Sequence, residues 1–193
     1  MIQSDIFDSI NMNIKKITNS ILLFVAKRLA EILGILVLIS GILLLISLIS
    51  YSPEDPNFIF PENTDIKNML GFRGSYISDL FFQSIGLISY LFSITLIFTG
   101  LNVTVSKDLF LIIESVFFSI LYLVLGSSFF NHFYDSAFAL FINGNGGFVG
   151  GYVNKTLLSK IISLNASITF YFLIILIIIF FFIKYKFQFE KIF

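Results

Sequence analysis

Apolar residues run along this chain in four long blocks separated by short polar interruptions. Ile32 to Tyr51 is twenty residues without a charge, the length a helix needs to cross about 30 Å of hydrocarbon. Further blocks of this kind extend over about 80–101, 109–130 and 166–183. Transmembrane strands would alternate apolar and polar positions over about ten residues, whereas these blocks are continuously apolar. The pattern predicts an all-α integral membrane protein, a four-helix bundle with short amphipathic or surface helices in its N-terminal segment and outward loops. Its expected parts are a cytoplasmic amphipathic segment 1–28, a four-helix membrane domain 29–183 and a short cytoplasmic tail 184–193.

In the first part, Ile6, Ile10, Ile14, Ile17, Ile21 and Phe24 recur at steps of three and four and fall on one helical face. Lys15 and Lys16 stand off that stripe. Such a helix either packs on the protein's own core or lies in the membrane interface; the interfacial reading is preferred. Lys27 and Arg28 follow the first apolar stretch and no A-x-A cleavage site is visible, which argues against a signal peptide. Lys27 and Glu31, four residues apart, are expected to pair. After the first block, Ser50 to Pro56 holds two prolines and two acids, which stop the helix and turn the chain in water. Residues 66–79 mix apolar side chains with Lys67, Arg73 and Asp79, and Gly71 and Gly74 suggest a bend, so a short surface element is expected to lead into the second block. Between the third and fourth blocks lies a loop of about 35 residues with the glycine-rich run 143–151. Val149, Val153, Thr156, Leu157, Lys160 and Ile161 then mark one face of a short amphipathic helix.

Four crossings put both termini on one side of the membrane. Of the twelve Lys and Arg residues, eight lie in the termini and the short turn at Lys107, and four in the two long loops. The positive-inside rule then places both termini in the cytoplasm. Small residues allow close helix approach in lipid: Ala30, Gly34 and Gly41 in the first block, Gly86, Ser93 and Gly100 in the second, Ser115, Ser119 and Gly126 in the third. The fourth has no such face, so the first three are expected to form the packed centre.

Composition supports the membrane reading. Hydrophobic residues make up 57% and charged residues 12%, where soluble domains carry about 25% charged; mean hydropathy is +0.96. A formal net charge of zero offers no basic face for nucleic acid. With no cysteine and a single histidine, His132, no metal-ligand set can be assembled by spacing. No cofactor is expected. In the glycine run, Gly146 and Gly151 have the spacing of a Walker A loop, but Tyr152 and Val153 stand where Lys and Ser or Thr belong; the glycines suit tight turns and close backbone packing instead. No nucleophile, base and orienting acid appear as a set, and the chain is read as a non-enzyme. Glu114 is the one acid well inside a block. Intramembrane acids are functional suspects, and a small transporter or channel subunit with Glu114 in its path is the alternative reading.

The residues Leu48 to Pro56, with Ser-Tyr-Ser-Pro-Glu-Asp-Pro directly after a first membrane helix, resemble the FtsK/SpoIIIE family of bacterial DNA translocases. There the first helix ends in Ser-Tyr-x-Pro-x-Asp-Pro, which Ser50, Tyr51, Pro53, Asp55 and Pro56 match, with Ser52 at the first variable position. Asn68, Gly71, Gly74, Asp79 and Leu80, then Gly86 and Tyr90, resemble the stretch that follows, with Ser75, Ser78 and Ser89 where alanine is usual. Gly146, Gly147 and Gly150 resemble the Gly-Gly-x-x-Gly before the last helix. The resemblance implies a four-helix membrane anchor with cytoplasmic ends, at the division septum of the bacterial inner membrane. It further implies self-association as a hexamer, contact with other division proteins and roles in cell division and chromosome partition. The loops 52–79 and 131–165 are the expected partner surfaces. Walker A, Walker B and the DNA-reading winged helix of the family's motor are not found in these 193 residues, so neither ATP hydrolysis nor direct nucleic-acid contact is carried over. The expectation is a stand-alone or split module, or a piece of a longer translocase.

Overall fold

The computed structural model describes residues 2–56, 65–134, 143–158 and 166–189. Among them every regular element is helical: α1 (Ile2–Ile49), α2 (Gly71–Ile85), a 3₁₀ turn (Gly86–Ile88), α3 (Ser89–Ser106), α4 (Phe110–Phe133), α5 (Gly147–Val153), a wide turn (Asn154–Leu158) and α6 (Ala166–Phe189). Three spans are long and apolar enough to cross a membrane, Ile14–Ile49, Gly71–Ser106 and Phe110–Phe133, and α6 carries a further apolar run, Ser167–Phe182. The chain is an all-α membrane protein.

No break separates the N-terminal segment from the first membrane helix. α1 has 48 residues, about 72 Å at 1.5 Å per residue, more than twice the hydrocarbon thickness. Ile14, Ile17, Ile21 and Phe24 are all exposed, as are Leu22, Leu23 and Val25. The described part of the stripe therefore does not pack on the protein's own core; Ile6 and Ile10 have side chains outside the described residues. The helix ends where Ser50 N–H donates to the Ile46 carbonyl at 3.1 Å and Tyr51 N–H to Leu48 at 3.4 Å, just before Pro53.

The second block departs from expectation. It is not one helix over 80–101 but two, α2 and α3, broken at Gly86. There φ is +70°, and a Cβ would fall 1.9 Å from the carbonyl oxygen of Asn145. The surface element expected at 66–79 is in large part the beginning of α2. Ser89 hydroxyl restarts the helix by donating to the Gly86 carbonyl at 2.6 Å. At the far end Lys107 adopts a left-handed conformation, φ 60°, and Asp108 accepts from the Phe110 amide at 2.9 Å, which turns the chain into α4.

The helices stand in a row, α1 against α3, α3 against α4, α4 against α6. This corrects in part the expectation that the first three membrane segments form the packed centre: α3 and α4 hold the middle, while α1, like α6, holds an outer position. The α1–α3 contact is made by glycine. A Cβ on Gly100 would lie 2.4 Å from the Leu38 amide nitrogen, one on Gly34 2.7 Å from the Thr104 amide nitrogen, and one on Gly41 2.8 Å from that of Ile97. Ala30 and Val103 are buried beside them. Between α3 and α4 run hydroxyls: Tyr122 donates to Thr95 Oγ1 at 2.7 Å, and the Thr99 and Ser115 hydroxyls meet at 2.7 Å. α6 has no small-residue face, and rings replace it. Phe170 packs on Phe129 and Phe133 with centroids at 5.2 and 5.0 Å, and Phe181 meets Tyr122 edge-on at 6.2 Å.

At the end near the α3–α4 turn, Glu31 binds Arg28 at 2.6 Å and Lys107 at 2.7 Å. The expected partner Lys27 does not take that role. The left-handed turn brings the Lys107 ammonium across from α3 and ties it to α1.

The backbone contacts at Gly100 generate a test. Gly100→Leu should destabilise the protein by about 3 kcal/mol or more, because rigid backbone cannot yield to the added side chain. Gly71→Ala, at a glycine with φ +65° but nothing within 4 Å, should cost only the left-handed strain of about 1–2 kcal/mol. Unfolding of both variants in mixed detergent measures the difference, and equal losses would refute glycine-mediated contact.

Candidate functional site: a polar latch at the loop end

The end of the bundle where α1 stops, α2 and α5 start and α4 stops holds most of the sequence-predicted site residues. Asp55 is buried. Its two carboxylate oxygens accept from the backbone amides of Lys67 at 2.8 Å and Asn68 at 2.9 Å. The acid thus closes the excursion from the end of α1 back to the start of α2. Ser52 and Pro53 form the turn that aims it: Asp55 N–H donates to the Ser52 carbonyl at 3.2 Å. Pro56 is buried, and its carbonyl accepts from Ser75 Oγ at 2.8 Å.

Asn68 then crosses to α1. Its amide donates to the Ser47 carbonyl at 2.9 Å, and its side-chain oxygen accepts from Leu70 N–H at 3.1 Å. Ser47 answers by donating to the Gly74 carbonyl at 2.6 Å. Gly74 is required here, since a Cβ would stand 2.1 Å from the Asn68 side-chain oxygen. Gly71 opens α2 in the left-handed region.

Tyr51 hydroxyl donates to Asp79 at 3.2 Å, and its ring meets Phe82 edge-on at 4.9 Å. Burial, and next the negative charge of Asp79, push the phenol well above its ordinary range, so the hydroxyl stays protonated and remains a donor. Asp79 also accepts from Gln83 at 3.4 Å, not from Arg73. Tyr90 from α3 donates to the Leu48 carbonyl at 3.1 Å, satisfying one of the last carbonyls of α1.

The glycine run builds the other half. Gly146 and Gly150 both lie on the Ser127 carbonyl of α4, where a Cβ on either would come to 2.2 Å. Gly147 has φ +63° and sits on the backbone of Ile85 and Gly86. Asn154 donates to the Ser128 carbonyl at 3.0 Å and to Asn131 at 2.9 Å, and Asn145 donates to the Tyr134 carbonyl. The expected amphipathic face survives only in part: Val149 and Val153 lie on α5, Thr156 on the wide turn, and the side chains of Leu157, Lys160 and Ile161 lie outside the described residues.

Two joints couple the halves. Leu87 N–H donates to the Asn145 carbonyl at 2.9 Å, and Ser127 Oγ donates to the Ile85 carbonyl at 2.9 Å. Farther out, Asn143 N–H donates to the Gln83 side-chain oxygen and its amide to the Gln83 carbonyl, each at 3.1 Å. Tyr51, Asp79, Gln83 and Asn143 therefore form one chain of hydrogen bonds across both loops. Sequence reasoning missed Ser47, Gln83, Asn143, Asn145 and Asn154. Each is a short or medium polar residue beside glycine or a helix end, the signal that could have found them. Glu114 is not in the latch; it lies half-buried on α4 beside Ser115. His132 is exposed, with its ring edge-on to Phe133 at 4.6 Å. Among the described residues no three His, Cys, Asp or Glu side chains gather as a metal site. What the arrangement does is pair backbone groups and tie together the described parts of the two halves of the loop end.

Removal of the Asp55 carboxylate by Asp55→Ala should orphan two amides, at about 1–3 kcal/mol each. Asp55→Asn, which keeps one good acceptor, should lose less. Limited proteolysis between residues 52 and 67, alongside thermal unfolding, reads both. Outside this core, the Lys67 ammonium on Glu54 holds that carboxyl below its usual range. Its small contribution is present above the unfolded carboxyl pKa and lost as pH falls through the folded value. Wild type and Glu54→Gln should therefore differ most near neutral pH and converge in acid, as followed by melting temperature against pH.

The chain resembles known proteins over almost its whole length. Residues 26–192 match the family model of the 4TM region of DNA translocase FtsK/SpoIIIE. A DNA translocase FtsK from Azospirillum brasilense is 30% identical over 87 residues, 44% of this chain and 14% of that protein. The chain thus spans a small part of the relative's length. No solved structure matches it. With the broken second segment, the latch and most of the first span inside the matched region, the chain belongs to the family of 4TM regions of DNA translocase FtsK/SpoIIIE.

Proposed function

We propose that this chain is a non-enzymatic membrane anchor and scaffold of an FtsK-type DNA translocase, acting at the division septum in cell division and chromosome partition. The observation that carries the reading is the family match over 26–192, which covers every helix after α1 and the second half of α1 and corresponds to the membrane region, not to the motor. In this reading the protein lies in the bacterial inner membrane with both termini in the cytoplasm, as the distribution of Lys and Arg favours. It self-associates, as a hexamer by family resemblance, and meets other division proteins through its loop end.

The latch supports the last point. A surface whose backbone is already held by hydrogen bonds between its elements has less freedom to lose on binding, which lowers the ordering cost. Phe148 and Tyr152, 65% and 60% exposed, stack on each other at 6.2 Å on α5. Met69, 77% exposed, stands at the start of the other half. Aromatic residues and Met are enriched at interfaces.

A fluorescent fusion to this chain should concentrate at midcell in dividing bacteria. The double variant Phe148→Ser, Tyr152→Ser should keep its membrane insertion and thermal stability but lose most of that enrichment. A uniform membrane signal for the wild-type fusion would overturn the septal reading. Unchanged enrichment in the double variant would move the partner surface elsewhere.

A further inference from the structure

Beside the latch, between α1, α2 and α3, lies an open cavity of about 460 Å³, within the roughly 300–1,000 Å³ of small-molecule sites. Leu43 and Leu44 of α1, Ile77 and Phe81 of α2 and Leu96 of α3 wall it. Two hydroxyls on the α1 side are already engaged: Ser40 donates to the Val37 carbonyl at 2.8 Å and Ser47 to Gly74 at 2.6 Å. The hollow is therefore apolar in effect. Leu43 and Ile77 are 46% and 42% exposed, so it opens sideways to the medium around the helices, which is hydrocarbon.

One charged side chain lines it, Arg73. It sits two residues into α2, at the loop end and so at headgroup level. Among the described residues no carboxylate pairs with it: Asp79 accepts from Tyr51 and Gln83, and Glu54 is held by Lys67. From Ser47, near the end of α1, to Ser40 the cavity follows the helix for seven residues, about 10 Å of descent. That is about a third of the hydrocarbon core. A cation at the surface with an apolar slot beneath it matches the shape of one lipid.

We infer that this groove binds an anionic phospholipid, with an acyl chain in the slot and the phosphate on Arg73. The guanidinium fork matches phosphate oxygens, and a lipid with net negative charge leaves that pairing without a competing ammonium of its own. An apolar helix from another protein would fill the slot but leave Arg73 without a counter-charge.

The chain contains no tryptophan, so a single one reports unambiguously. Ile77→Trp is reconstituted in phosphatidylcholine vesicles. A minor fraction carries bromine-labelled acyl chains, on phosphatidylglycerol in one arm and on phosphatidylcholine in the other. The labelled anionic lipid should quench the indole at position 77 several-fold more strongly than the labelled zwitterionic one. Adding Arg73→Gln should make the two equal. Ile120→Trp, on a face of α4 that is 56% exposed, should show no preference in either background. Equal quenching by the two lipids at position 77, a preference that persists without Arg73, or no quenching at all would each overturn the proposal. The last would mean that the slot is closed or filled by protein. Helicity and monodispersity verify each variant; should Ile77→Trp fail to fold, Leu43→Trp on the opposite wall carries the same measurement.

Discussion

A backbone that leaves helical geometry beside hydrocarbon must find its hydrogen-bond partners inside the protein. In this chain that demand centres on Gly86, where the second membrane segment breaks. The break frees the Leu87 amide, and the Asn145 carbonyl takes it at 2.9 Å. The partner belongs to a segment almost sixty residues later, so the irregular turn can form only once the glycine run has docked. Gly86 and Gly147 make that docking sterically possible: a Cβ on Gly86 would strike the Asn145 and Gly146 backbone, and one on Gly147 the Ile85 and Gly86 backbone. The rest of the architecture follows. Because the segment is two helices, α3 can lie along α1 while α2 stays with the loops, and the Tyr51–Asp79–Gln83–Asn143 chain can form.

Three packing chemistries hold the row of helices together, the middle one being the hydroxyl bonds of Tyr122 with Thr95 and Thr99 with Ser115 between α3 and α4. α1 and α3 touch backbone to backbone through Gly34, Gly41 and Gly100, the close approach that dispersion rewards where lipid removes the hydrophobic drive. α4 and α6 meet through the rings of Phe129, Phe133, Phe170, Tyr122 and Phe181. Shared small residues were therefore a sound guide to the first contact and blind to the last. A helix without glycine is not excluded from packing; it packs through larger side chains.

The same contrast explains what the sequence made legible. Continuous apolar runs identify membrane helices because the bilayer imposes a length and a composition on each one separately. The glycine faces of Gly34, Gly41 and Gly100 could be read for a similar reason, since helical periodicity is local. The break at Gly86 could not. Its neighbours Phe81, Ile85, Leu87 and Ile88 are as apolar as any spanning stretch, and its cause lies in a carbonyl at Asn145. Asp55 could be singled out as a residue of the loop, but its task of closing the turn onto Lys67 and Asn68 depends on where the chain returns. Lys107 was likewise read as a loop cation, and only the left-handed turn reveals it as the partner of Glu31.

Three serines show how the latch is tuned in this member of the family. Ser75, Ser78 and Ser89 stand where the resembling motifs usually carry alanine. Serine is close to alanine in volume but adds a hydroxyl, which in a buried site is costly if left unpaired. Here none is. Ser75 donates to Pro56, Ser78 to Gly74 and Ser75, and Ser89 to Gly86, at 2.6–3.0 Å. Three of these bonds stay local, feeding carbonyls near helix bends, while Ser89 also reaches the Phe81 carbonyl across the break at 3.2 Å. The Ser75 bond is different in kind: it ties α2 to the loop at Pro56, nineteen residues back. It therefore reinforces the closure that Asp55 makes from the other side. Serine at 75 thus adds a second tie to the same loop, whereas the Ser78 hydroxyl bonds only within its own helix and the Ser89 hydroxyl links α2 and α3 across the break at Gly86.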